Sequence, residues 1–271
     1  MNSALKSPTL KKYLSVIDTM YRLGWDEKNG GNISCLLDQE EVDKYFGKAK
    51  TIREIPLPLE ANENIRGRVF LFTGTGKYFR NTKDDPSHNI GVIRISANGL
   101  NAEVIWGFED NAKFTSEIFT HLLCHSTRLK VQPLHHVVMH THPLNILAMT
   151  HVHELDEKSF SLDLWRTMTE SIIVFPEGVG IIPWQVCGTE KIGQQTAEKM
   201  KETRCVIWPL HGIYGCECNL DDAFGLIETV EKSAQIYLLE NQKEVINNIT
   251  DDGLQQIATQ FNVVPHPNYL K

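Results

Sequence analysis

Val137-Val138-Met139-His140-Thr141-His142-Pro143 runs three apolar residues straight into a His-x-His pair closed by proline. An apolar run of this length reads as a buried strand. Residues two apart on a strand point to the same face, so His140 and His142 project side by side from its end. Two imidazoles on one face are two ligands of the three that a catalytic zinc site usually takes from protein. The best third ligand lies far downstream in Pro209-Leu210-His211-Gly212, after the apolar Val206-Ile207-Trp208. The chain therefore reads as a metalloenzyme built around His140, His142 and His211.

Other histidines fit this role less well. His151 and His153 follow a helical-looking segment, and residues two apart on a helix do not face one another. His135 and His136 are adjacent and would point to opposite faces of a strand. His121 and His125 stand one helical turn apart, a chelating spacing, but without the glutamate pattern of a zinc-protease helix.

Composition narrows the function further. The 271 residues suffice for one large domain or two small ones, and 41% hydrophobic content is ample for a core. A net charge of −7 argues against a nucleic-acid role, which needs a basic face. No apolar run approaches a membrane span, and the first residues carry no hydrophobic signal core, which points to the cytoplasm. The six scattered cysteines read as reduced thiols, mostly buried and inert.

Along the chain, residues 8–25 read as a helix and 33–37 as a strand. Between them, Asn29-Gly30-Gly31-Asn32 is either a simple turn or an anion cradle in which backbone N–H groups converge beside amide donors. Residues 38–50 form a helix or a lid, and Pro56-Leu57-Pro58 a linker or extended edge. Residues 68–72 make a strand that enters Thr73-Gly74-Thr75-Gly76-Lys77, a second glycine-rich loop without Walker spacing. Strands follow at 90–95 and 102–106, joined at the Asn98-Gly99 hairpin signal. A helix begins near Phe114 and runs to about Leu129, with Thr115 or Ser116 as N-cap and Glu117 in its first turn. That N-terminus is a ready phosphate site, and Glu117 either complements the helix dipole or does chemistry. Beyond the His-x-His strand come a short helix, an amphipathic segment over 156–168, a strand at 172–175 and a loop with an extended piece over 178–183. A helix then spans 188–203, residues 206–210 deliver His211, and Asn219 caps a long helix to about Asn241. A short helix over 254–261 closes the chain before a proline-containing tail.

Taken together, Asn29-Gly30-Gly31-Asn32-Ile33-Ser34, Thr73-Gly74-Thr75-Gly76, Glu117, His140-Thr141-His142-Pro143 and His211-Gly212 resemble, in order and over nearly the whole chain, the class II sugar-phosphate aldolases. That superfamily includes fuculose-phosphate aldolase, ribulose-phosphate 4-epimerase and the adducin head domain. Phe175-Pro176-Glu177-Gly178-Val179-Gly180-Ile181-Ile182-Pro183-Trp184 and the chain length resemble the branch acting on rhamnulose 1-phosphate. The resemblance implies one α/β domain over residues 1–271, three-layer α/β/α with a central, mainly antiparallel sheet. It implies one Zn²⁺ per subunit on His140, His142 and His211, and cleavage of L-rhamnulose 1-phosphate into dihydroxyacetone phosphate and L-lactaldehyde. It implies phosphate binding by Asn29, Gly31, Asn32, Thr75, Thr115 and Ser116, where the Thr75 position is often serine. Glu117 becomes the acid/base, and Glu170 the residue that reaches into the adjacent site of a cyclic homotetramer. Rival readings are an aldolase or epimerase for another sugar phosphate, a non-catalytic adducin-like module, and a structural zinc protein closed by Cys216 or Cys218.

Overall fold

The structure, a computed structural model, describes residues 3–47 and 50–270. In chain order its helices are α1 (Pro8–Arg22), α2 (Gln39–Tyr45), α3 (Phe79–Thr82), α4 (Pro86–Asn89), α5 (Ile118–Val131), α6 (Leu144–Val152), α7 (Glu157–Thr167), α8 (Thr169–Val174), α9 (Glu190–Lys199), α10 (Leu220–Glu240) and α11 (Asp251–Phe261). The strands are β1 (Asn32–Leu36), β2 (Arg53–Pro56), β3 (Val69–Thr73), β4 (Ile90–Ile95), β5 (Asn101–Gly107), β6 (Val137–Thr141), β7 (Gly180–Ile181), β8 (Cys205–Trp208) and β9 (Gly212–Glu217). They join one sheet in the order β2-β5-β4-β3-β1-β6-β9-β8-β7. Every pairing is antiparallel except β7 with β8.

Alternation along β6 shows how the layers form. Val137 and Met139 enter a core shared with α1, α7 and α10. Val138 points the other way, into a core with Cys124 of α5 and Ile192 of α9. The sheet is thus sandwiched between helices, the α/β arrangement expected, and β6 is buried on both faces. No helix among the described residues is long and apolar enough to cross a membrane.

Several helices start at a side-chain cap. Ser7 accepts from the Leu10 N–H ahead of Pro8, Thr189 from Ile192, and Asn219 from Asp222. Residues 38–50 contain α2, while Lys48 and Ala49 of that segment lie outside the described residues. Two assignments differ. Residues 172–175 are not a strand: α8 is helical to Val174, and burial recurs at Ser171, Ile172 and Phe175 with helical spacing while α8 packs on α7, α10 and α11. Tertiary packing here overrides the β-branched run. Residues 212–217, left unassigned above, form β9, and the Pro56 stretch ends an edge strand, β2.

Past α8, Arg204 ties the sheet to its surroundings. Its guanidinium donates to both Glu177 oxygens (2.6 and 3.0 Å), to Glu217 and to the Val174 carbonyl. Removing it strands two largely buried carboxylates. Arg204→Met is expected to lose on the order of 3 kcal/mol of stability in urea unfolding, without a change in metal content.

Candidate active site and metal centre

β6 delivers His140 within the strand and His142 just past its end. The loop entering β1 clamps that end: the Trp25 carbonyl accepts from the His142 N–H (2.9 Å) and from the Thr141 hydroxyl (3.0 Å). His211 sits in the tight turn between β8 and β9, its N–H bonded to the Trp208 carbonyl at 3.0 Å. The three imidazole centroids form a triangle with 5.0 Å sides. A donor atom from each lies within 4.8 Å of the others. Gly212 makes room for this: a Cβ there would lie 2.8 Å from His142 Cδ2 and 2.4 Å from the Thr141 carbonyl.

Hydrogen bonds fix which nitrogens face inward. His140 Nδ1 lies 3.1 Å from the Ile213 carbonyl, which only accepts, so Nδ1 carries the proton. Complete burial, then the neighbouring His142 and His211, hold His140 well below the usual histidine range, so it is neutral. His142 Nδ1 faces the Glu27 carboxylate at 3.0 Å. The two Nε2 atoms therefore point at each other across 3.2 Å, and only a proton or a cation between them relieves the contact. Three converging imidazoles, two backed by a carbonyl and a carboxylate, fit a divalent metal of zinc type.

Glu117 occupies the N-cap position of α5, not its first turn, and its side chain makes no capping bond. Thr115 Oγ1 accepts from the Glu117 N–H instead. The buried carboxylate turns toward the sheet. Its Oε2 accepts from Tyr214 Oη (2.5 Å) and Asn32 Nδ2 (3.0 Å), 3.8 Å from His140 Nε2. Burial and the Glu117 charge push the Tyr214 phenol up, so it stays a donor.

Three of the expected phosphate-binding segments adjoin one another. Thr115 N–H donates to the Thr73 carbonyl, Thr75 N–H to the Lys113 carbonyl (both 2.9 Å), and Ile33 N–H to Thr73 Oγ1 (3.2 Å). Asn29, Thr75 and Ser116 are exposed there, and Thr115 and Asn32 buried. Gly31 has φ +70°, and a Cβ on it would fall 1.8 Å from the buried Asp26 carboxyl, so packing requires this glycine. Glu170 is not brought to the cluster: it is exposed on the first turn of α8, which packs on α7, α10 and α11.

Comparison with known proteins matches this architecture. The sequence pattern described as Class II Aldolase and Adducin N-terminal domain covers residues 11–238. The chain belongs to the class II aldolase family. It is 47% identical over 270 residues to rhamnulose-1-phosphate aldolase of Enterococcus faecalis, covering 99% of this chain and 96% of that one. It is 46% identical over 262 residues to the Listeria monocytogenes protein of that name, covering 96% of each. Among solved structures, a sugar-phosphate aldolase from Thermotoga maritima aligns with a TM-score of 0.76 and 26% identity, over 88% of this chain and 98% of that one. The protein is an enzyme, a lyase of the aldolase type.

Sequence reasoning on this class II aldolase missed Glu27, Tyr214 and Cys187. Cys187 is exposed, unlike the buried Cys35, Cys124, Cys205 and Cys216, and offers its thiol within 4.8 Å of Glu117 and His211 donor atoms. Asn29-Gly30-Gly31-Asn32 was the available hint to Glu27, since a loop so tightly folded returns its start to the strand it serves. Glu27→Gln is expected to weaken metal binding about tenfold or more, the scale set by a carboxylate behind a metal-bound histidine. Competition with a chelator of known affinity measures it.

Proposed function

We propose that this enzyme cleaves L-rhamnulose 1-phosphate to dihydroxyacetone phosphate and L-lactaldehyde, in rhamnose catabolism. The observation that carries the reading is the imidazole triangle with a buried, doubly hydrogen-bonded Glu117 carboxylate 3.8 Å from His140. Near-full-length likeness to relatives bearing that enzyme's name supports the substrate.

Breaking the C3–C4 bond turns the C4 hydroxyl into the aldehyde carbonyl and leaves the electron pair as an enediolate at C2–C3. His140, His142 and His211 would hold the zinc ion, one per subunit, which supplies Lewis acidity toward the C2 oxygen. Glu117 takes the proton that the C4 hydroxyl releases and delivers it to C3 in cleavage, and reverses both transfers in condensation. Tyr214 and Asn32 keep that carboxylate in place between turnovers. Asn29, Gly31, Asn32, Thr75, Thr115 and Ser116 take the phosphate, whose remote binding energy holds the reacting carbons against the site. Ser116 and Glu117 also line a cleft of about 260 Å³ with Leu59, Phe119 and Thr189.

In this reading the chain is a single domain over residues 1–271, cytoplasmic, and assembled as a cyclic homotetramer with sites between neighbours. The exposure of Glu170, away from its own histidines, suits a residue that serves a neighbouring subunit's site.

The deciding experiment strips the enzyme with a chelator and follows dihydroxyacetone phosphate release from L-rhamnulose 1-phosphate as zinc is returned. Activity is expected to vanish and recover. Absence of product with zinc restored moves the substrate to another sugar phosphate. His142→Ala should lose metal and activity together. Glu117→Gln should keep zinc and lose on the order of two to four decades in turnover. Near-normal turnover in that variant removes Glu117 from the chemistry.

A further inference from the structure

Glu117, His121 and His125 follow one another at four-residue intervals along one stripe of α5, above β1. Four helical residues rise about 6 Å, and two strand residues about 6.8 Å, so side chains of the two elements can interleave. They do so without a gap. His125 Nε2 lies 2.7 Å from Ser34 Oγ, and Ser34 Oγ 2.7 Å from His121 Nδ1. His121 Nε2 meets Asn32 Oδ1, and Asn32 Nδ2 lies 3.0 Å from Glu117 Oε2. All five side chains are buried.

Donor and acceptor roles then follow one from another. An ionised carboxylate only accepts, so Asn32 turns its NH₂ to Glu117 and its carbonyl to His121. That carbonyl needs a proton from His121 Nε2. Burial drops His121 to about 3, so it is neutral and its Nδ1 is bare, ready to accept the Ser34 hydroxyl. A hydroxyl has one proton to give, so His125 must donate its Nε2–H to Ser34. His125 Nδ1 is left bare, and it is a buried atom without a partner. An orphaned lone pair is tolerated more readily than an orphaned N–H.

We propose that His121, backed by Ser34 and His125, is a positioning residue: its Nε2–H decides which end of the Asn32 amide faces Glu117. Without that proton the amide is free to flip and set its oxygen against the carboxylate. Two lone pairs would then repel where a donor now holds Oε2 beside His140. The inference rests on Glu117 as the acid/base of the proposed reaction. It also gives Asn32 a task beyond phosphate binding.

Two readouts on the full-length, zinc-loaded protein test it. The first needs no activity. Nitrogen–proton correlation spectra of histidine-labelled protein, assigned with single His variants, are expected to show His121 and His125 both as Nε2–H tautomers. A Nδ1–H tautomer at His121 overturns the proposal. The second follows exchange of the C3 hydrogen of dihydroxyacetone phosphate with deuterated water, a reaction that uses Glu117 as base and needs no aldehyde. His121→Phe keeps a ring and loses the donor. It is expected to slow exchange about tenfold to a hundredfold, the scale of a lost charge-assisted hydrogen bond, with zinc content unchanged. His121→Gln places an amide N–H near the lost donor and should recover most of the rate. Ser34→Ala keeps His121 but frees its tautomer, and gives a second, smaller loss if the His121 variants fold poorly. Wild-type exchange in His121→Phe, or a fall in KM-dependent binding instead of rate, overturns the proposal. If the wild-type enzyme exchanges nothing, the reaction assigned above fails, and the tautomers still decide the geometry.

Discussion

Asn32, His140 and Tyr214 stand directly opposite one another on β1, β6 and β9. Antiparallel pairing turns opposed side chains to the same face, here the face covered by α5. A slip of one residue on either side of β6 would send His140 into the opposite core and break the row. The site therefore depends on strand register before any chemistry. What fixes that register is hydrophobic: Val138 and Cys216 must enter one core, and Val137, Met139 and Ile213 the other.

Burial on that row separates the roles of groups that could all exchange protons. Desolvation disfavours charge, so it drives imidazoles and phenols alike toward neutrality. His140 and His121 remain bases without protons to spare, and Tyr214 keeps its proton. Two carboxylates stand beside the histidines, Glu27 against His142 and Glu117 near His140. The facing lone pairs of His140 and His142 lack a positive centre, and the imidazole triangle is where one fits.

Features with a periodic or capped signature were legible in the sequence. The His140–His142 strand, α1 and α10 follow from apolar spacing and from Asn219 as a cap. His211 could be named because an apolar strand leads to it. Other features were illegible for physical reasons. In β9, Gly212 and Gly215 interrupt the alternation, because close neighbours exclude side chains there: Ile227 of α10 would stand 2.9 Å from a Cβ on Gly215. Residues 172–175 read as a strand because β-branching mimics one, and only contact with neighbouring helices decides otherwise. Glu27 lies 115 positions from the histidine it faces, so no local pattern could pair them. His121 and His125 were legible as a helical pair, but their partner, Ser34, comes from a strand 87 residues earlier than His121.

Trp208 packs with its ring centroid 5.2 Å from both His140 and His211, fully enclosed at the end of β8. Indole emission responds strongly to the charge state of a touching imidazole. The fold has thereby placed an optical probe against two corners of the triangle. Of the other four tryptophans, Trp25 stacks on Phe224, Trp106 packs edge-on to Phe46 and Trp165 sits against Tyr269, while Trp184 is exposed. Filling and emptying of the centre should be visible in the intrinsic fluorescence of the unlabelled protein, in real time and without substrate.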